Sequence, residues 1–424
     1  MTVRVIDSCG TVLMPTRRLG KVRHLLDSDE AEIFCYLPFT IKLKRKVEHP
    51  FYQRMTAGVD CGFRHVGISV STEKYETFSG QFEHRSCDIK RKLEEKSSLR
   101  SGRRYRKTRY RKARFDNRIS SKKEGWIPPT SRHMIESHSR DIELSIKYLP
   151  VIEMNIETGE FDTQKMRNPD IESEEYQQGL TSGFENAKAF VRWRDGNRCR
   201  NCNGKSGDKK IEVHHIHPRK SGGTNHPNNL VCLCHTCHTK HHNEGLKLKN
   251  FKLDRKTALS MRDAAAMNIT ADRIVEEVRK KFPSIKVNRT FGYITKMNRI
   301  RHGIPKSHTN DALVISGNFK SVPCEQTVIV RQVRRHNRQL HKTNPKKGVR
   351  RSNQAAYLVN GFALNDYVEF EGKRGFISGR MTCGFATVKN IEGEKIHEKN
   401  VVSMKRLKLI RHSKSIIYEF KKKD

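Results

Sequence analysis

The sequence predicts a multidomain α/β protein, and three observations lead there. At 424 residues the chain has room for roughly two to four domains. Its residues are only 35% hydrophobic, and the mean hydropathy is -0.78. That is lean for one large core and suits several small domains separated by basic segments. Strand-like and helix-like stretches alternate over most of the chain, then give way after about residue 320 to short glycine-punctuated strands.

Taken in order, residues 3–45 open with a short strand and glycine turn (VRVIDSCGTVLMP). An amphipathic helix (RRLGKVRHLLDSDEAEI) and a strand (YLPFTIKLKRK) follow. Such a small α+β unit lies near the lower size limit for independent stability. Residues 57–85 predict a hairpin, AGVDCG and HVGISVST, with YETFSGQFEH as a third strand. Residues 88–118 are dominated by Lys and Arg, with Tyr105, Tyr110 and Phe115 interleaved. Straight-chain basic residues favour helix, although Gly102 weakens its centre. Residues 131–162 predict a helix and then a buried strand (VIEMNIETG). A Cys/His cluster occupies 183–243. Residues 255–282 read as helix, SIKVNRTFGYI as strand and DALVISG as a short buried helix. A basic linker (RQVRRHNRQLHKTNPKKGVRR) then leads into strands whose spacing suits a small β-barrel.

The chain carries 85 Lys and Arg against 46 Asp and Glu, a formal charge of +39. Neutralising that charge on a polyanion releases counterions, which favours DNA or RNA as partner. On composition alone, a non-catalytic basic protein of ribosomal type fits equally well. No run approaches the ~18–20 apolar residues that a membrane span needs, and MTVRVIDSCG lacks the apolar core of a secretion signal. A cytoplasmic protein is expected. Eleven cysteines, an odd number, argue against a disulfide framework, and in a reducing compartment paired C-x-x-C motifs read as metal ligands.

Two such pairs, Cys199/Cys202 and Cys234/Cys237, offer the four thiolates that tetrahedral Zn²⁺ prefers in a closed structural site. The insert between them carries I-E-V-H-H-I, a Gly-Gly loop and P-N-N-L, followed by C-H-T-C-H. Adjacent strand residues face opposite ways. One of His214 and His215 can therefore ligate a metal while the other faces a water. A neutral imidazole accepts a water proton near pH 7, and a divalent cation stabilises the scissile phosphate. This ordered pattern resembles the HNH endonuclease family in its Cys-knuckle form. The resemblance implies His215 as general base and His214 and His238 as ligands of a catalytic Mg²⁺ or Mn²⁺. Asn229 would fix the loop and the base's imidazole. His217, His226, His235, His241 and His242 read as phosphate-facing or surface residues.

A second set of residues is scattered. Asp60 lies inside an apolar strand; taken alone, it equally suits a hairpin cap. Glu157 ends another apolar strand, with Glu153 and Glu160 as competitors. His308 and Asp311, three apart, share one face at the start of a helix. Together Asp60, Glu157, His308 and Asp311 are hard-ligand chemistry for Mg²⁺ or Mn²⁺. Their order resembles a RuvC-type nuclease of the RNase H fold split into three pieces, with the HNH module between the second and third. That layout resembles the IscB family, transposon-associated nucleases guided by an omega RNA. V-L-M-P at 12–15 matches the family's P-L-M-P motif except at Val12. F-D-T-Q-K after Glu157, E-Y-Q-Q-G at 175–179 and F-G-Y-I-T-K at 291–296 also resemble it.

The resemblance implies an N-terminal domain (1–54), RuvC-like parts at 55–87, 121–170 and 245–320, and a basic bridge helix (88–120). A linker (171–182), an HNH domain (183–244) and a C-terminal β-rich domain (321–424) complete the layout. That last domain would contact RNA and a short target-adjacent motif. The implied activity is RNA-guided cleavage of double-stranded DNA by a monomeric protein in a ribonucleoprotein. HNH would cut the guide-paired strand and the RuvC-like site the displaced strand. The protein would read backbone shape and a short motif, while base pairing reads sequence. Arg100, Arg103, Arg104, Arg106, Lys107, Arg109, Arg111 and Arg114 are the expected backbone contacts, since arginine bonds phosphate bidentately. Two rivals remain on sequence: a guide-independent HNH restriction or homing endonuclease, and a non-catalytic zinc-containing nucleic-acid-binding protein.

Overall fold

The computed structural model describes residues 2–105, 122–159, 181, 183–218, 223–248, 262–334 and 356–423. The chain divides into two compact units, Met1–Gly159 with Ile269–Asp424, and Glu160–Asn268.

The first unit begins with β1 (Val3–Ile6), β2 (Val12–Thr16), α1 (Leu19–Asp27), β3 (Ala31–Tyr36) and β4 (Phe39–Leu43). They form a sheet of order β2-β1-β4-β3. Val3, Val5, Val22, Ala31, Ile41 and Leu43 make its core. The helix expected over residues 17–33 ends earlier. Ser28 closes it by donating its N–H to the His24 carbonyl, and Asp29 takes φ +57°. The residues after this break pair with β4 as β3. Tertiary pairing overrides a helical pattern that two polar residues interrupt.

A larger sheet follows. β5 (Thr56–Cys61), β6 (His65–Ser71) and β7 (Glu76–Glu83) form the expected antiparallel meander. α2 (Ser86–Tyr105) is the described part of the basic helix. Arg100 is exposed on it, and Arg103 and Arg104 lie on its last turn. Arg106, Lys107, Arg109, Arg111 and Arg114 fall outside the described residues. α3 (Pro129–Ile146) packs on the meander, and β8 (Glu153–Glu157) lies parallel to β5.

The second unit contains α4 (Ala187–Arg194), β9 (Ile211–His215), β10 (Leu230–Cys234) and α5 (His235–Asn243). Asn186 caps α4, accepting from the N–H groups of Lys188 and Ala189 at 3.0 Å. β9 and β10 pair antiparallel, and α5 follows β10 directly, giving a ββα unit.

α6 (Arg262–Lys281) leads back into β11 (Lys286–Thr290), parallel to β8. The strand predicted over SIKVNRTFGYI stops at Thr290. Its last residues instead begin α7 (Gly292–Arg301), whose Lys, Met and Arg content favours helix. α8 (His308–Ile315) is the short buried helix expected at that place. Ser307 caps it, accepting from Asn310 N–H at 3.1 Å.

β12 (Gln326–Gln332) runs parallel to β7, and β18 (Ile416–Lys422) closes the sheet antiparallel to β12. The seven-stranded order is β11-β8-β5-β6-β7-β12-β18. Asp141, fully buried on α3, ties that helix to the sheet: His84 Nε2 lies 2.7 Å from it, and Gln332 donates to it at 3.2 Å. The remaining strands are β13 (Tyr367–Phe370), β14 (Lys373–Arg380), β15 (Phe385–Lys389), β16 (Val402–Ser403) and β17 (Lys408–Arg411). They form an antiparallel sheet of order β16-β15-β14-β13-β17 around Val368, Ile377, Val388 and Met404. Where the sequence suggested a small barrel, the described residues show this five-stranded sheet, and the last strand, β18, belongs to the larger one. Among the described residues no helix is long and apolar enough to cross a membrane.

Candidate active sites and metal centres

In the second unit the sulfur atoms of Cys199, Cys202, Cys234 and Cys237 all lie within 4.8 Å of one another. Both knuckles feed one small core with Val231 and Leu233. Burial pushes the Cys237 thiol up to about 12. Such a thiol ionises at neutral pH only if a cation is supplied, and the donor set is that of structural Zn²⁺.

Beside it, β9 places Glu212 and His214 on one face and His215 on the other. The ring nitrogens of His214, His238 and His242 also gather within 4.8 Å. His214 and His238 meet as expected; His242, read from sequence as a surface or phosphate-facing residue, completes the group. His238 and His242 lie four apart on α5, so one helical face presents both. Glu212 was not singled out in the sequence. Its Oε2 lies 2.7 Å from His238 Nδ1, which directs Nε2 of that ring into the cluster. The usable signal was its i, i+2 alternation with His214. Burial and the neighbouring imidazoles lower the His214 pKa to about 4, so this ring is neutral at pH 7. Three imidazoles suit a borderline metal such as Zn²⁺, Fe²⁺ or Ni²⁺, and tolerate the harder Mg²⁺ less well.

His215 Nε2 lies 2.9 Å from Asn225 Oδ1. Among the described residues, buried Asn229 bonds the loop: it accepts from His217 N–H at 2.8 Å and donates to the carbonyls of His217 and Thr224. Among the described residues the side-chain partner of the His215 imidazole is thus Asn225, and Asn229 ties His217 to Thr224 across the loop. Gly223 is needed there, because a Cβ would meet the His217 carbonyl oxygen at 1.9 Å.

In the first unit, parallel pairing of β5 and β8 sets Asp60 beside Glu157 in register. α8 lies against β5 and β6 through two glycines: a Cβ on Gly58 would stand 2.0 Å from the Ala312 carbonyl oxygen, and one on Gly67 would stand 1.9 Å from that of His308. This approach brings His308 Nδ1 to 2.7 Å from Asp60 Oδ2. The hydrogen bond to Asp60 raises the His308 pKa. Thr295 of α7 donates to Glu157, and Arg299 Nε lies 3.1 Å from Asp311 Oδ1. Burial, then the charges of Asp60 and Asp311, raise the Glu157 pKa; burial and Asp60 raise that of Asp311. Asp311 Oδ1 is buried, with Arg299 beside it as an ion-pair partner. Carboxylates gathered at this end of the sheet, with raised pKa values at Glu157 and Asp311, fit a divalent cation. The donors are more loosely spaced than the histidines, since no three of them lie within 4.8 Å of one another. Glu153 sits at the other end of β8, bonded to Arg54 and Asn288. Glu160 lies outside the described residues.

Residues 199–244 match the HNH endonuclease family. With the ββα site and its two donor clusters, that match identifies an HNH endonuclease domain in the second unit. Residues 3–179 match the family described as RRXRR protein. The two matches lie in succession on one chain. No curated protein matches the sequence. Among solved structures, Streptococcus thermophilus Cas9 in complex with the AGAA PAM aligns at 14% identity and TM-score 0.33, over 51% of this chain and 30% of that one. The Type II-C Cas9 of Actinomyces naeslundii aligns at 15% identity and TM-score 0.16, over 47% and 29%. This chain thus spans under a third of the length of either protein.

Proposed function

We propose that the protein is an RNA-guided DNA endonuclease with two sites. The HNH site would cut the guide-paired strand and a RuvC-like site the displaced strand. The observation that carries the second site is the convergence of Asp60, Glu157, His308 and Asp311 at one end of a sheet. The order β11-β8-β5-β6-β7, with an antiparallel meander followed by two parallel strands, supports an RNase H-like core interrupted by the HNH unit. α2 and the chain's +39 charge support a nucleic-acid load of omega RNA and DNA. The C-terminal five-stranded sheet would meet the RNA and the target-adjacent motif.

At the HNH site, His215 would take the proton of the attacking water on its Nδ1, with Nε2 anchored by Asn225. His214, His238 and His242 would hold the cation, which supplies charge stabilisation to the phosphate and leaving oxygen. Glu212 orients His238. At the second site Asp60, Glu157 and Asp311 would hold Mg²⁺ or Mn²⁺, and His308 positions Asp60.

The test is cleavage of a plasmid library with randomised flanks by protein co-expressed with its RNA. His215→Ala should leave a nick in one strand only and Asp60→Ala a nick in the other. Loss of all cutting in either variant argues against two sites, and full cutting without RNA argues for a guide-independent enzyme.

A further inference from the structure

α7 has two unlike faces. One carries Thr295 and Arg299 to Glu157 and Asp311. The other presents Tyr293, Lys296, Met297, Ile300 and Arg301, spaced i, i+3, i+4, i+7 and i+8, as a solvent-facing stripe. Tyr293 is 70%, Met297 59% and Ile300 62% exposed. The Tyr293 ring lies nearly parallel to that of Phe291, at 13° and 6.2 Å, and the Arg289 guanidinium sits 5.2 Å from the Phe291 ring. Residues 291–310 contain no Asp or Glu but include Lys296, Arg299, Arg301 and Lys306. A protein-docking helix would need only the apolar stripe. Stacked rings among cations, with no acid between them, are complementary to bases and phosphates together.

We propose that the outer face of α7, headed by Tyr293, is a stacking platform for the single-stranded DNA entering the acidic site. The inference rests on the reading of that site as a nuclease. One short helix would then grip the strand on one face and brace the carboxylates on the other.

The experiment uses the full-length ribonucleoprotein carrying His215→Ala. Its substrate is a target duplex with a pre-opened bubble and a label on the displaced strand. Tyr293→Ala should raise KM for nicking about 10-fold and leave kcat within about twofold, the loss expected of one stacked base. Tyr293→Phe, which keeps the ring, should restore KM. A KM unchanged by Tyr293→Ala, or a defect that Tyr293→Phe shares, overturns the platform. If the His215→Ala parent does not nick at all, the acidic site is not a nuclease. The platform is then judged by fluorescence anisotropy of full-length protein with a labelled 12-nucleotide oligothymidine at high salt. Equal affinity of Tyr293→Ala and parent overturns it, and weaker binding restored by Tyr293→Phe supports it.

Discussion

Single residues decide the chemistry at both centres. Glu212 holds His238 by one ring nitrogen so that the other is available to a cation. Carboxylates in this position typically contribute about 10–100-fold to metal affinity. Glu212→Gln should therefore weaken Mn²⁺ binding to zinc-loaded protein by about that factor in calorimetric titration; an unchanged affinity would show that the ring is oriented otherwise. At the acidic centre, burial and mutual repulsion raise the pKa values of Glu157 and Asp311. The folded chain thus binds these protons more tightly than the unfolded chain. Stability falls as pH rises from the unfolded carboxylate range through the folded values, and the cost persists at pH 7. Metal-free Glu157→Gln should melt about 2–4 °C above the parent at pH 7. The gain should vanish near pH 4, and Mg²⁺-dependent nicking by this site should be lost. Equal melting at pH 7 would mean that the charges are relieved elsewhere.

At the scale of elements, α8 positions the acidic site through contact of backbone on backbone. Gly58 and Gly67 let the helix lie where any side chain would collide with its carbonyls. Gly67→Ala should destabilise the first unit by about 1–3 kcal/mol. It should also reduce displaced-strand nicking while HNH cutting persists, a split that a strand-resolved assay reads. Undiminished nicking would show that His308 and Asp311 do not depend on this approach. In the ββα element, the turn after β9 is held by Asn229 from within and by the close fit of Gly223. His215, the last residue of β9, is thereby presented where the strand meets this turn.

At the scale of the whole molecule, one compact unit, Glu160–Asn268, interrupts the other in sequence. The second unit has small cores, and the four cysteines belong to one of them. Zinc removal should unfold that unit, as it does in other small zinc-nucleated domains. Scanning calorimetry of the full chain should lose one transition on strong chelation, or in Cys199→Ser, and retain the other. Retention of both would assign the cysteines no structural metal.

Local pattern was enough to find the knuckles, the His-His strand and the meander, because two-residue alternation and C-x-x-C spacing are set within a few residues. It also marked Asp60, Glu157, His308 and Asp311 as chemically unusual on apolar elements. It did not reach the in-register pairing of Asp60 with Glu157, the capture of β18 by β12, or the turn of FGYI into α7. Nor did it reach His242, or the anchoring of His215 by Asn225. Each of these depends on which strand lies beside which, or on how a loop closes, and such contacts join residues too distant in sequence for a periodic signal. The sequence by itself determined the kinds of donor and their local faces. The tertiary structure decided which donors share a site, because parallel pairing and the close approach of α8 are made only once the sheet has formed.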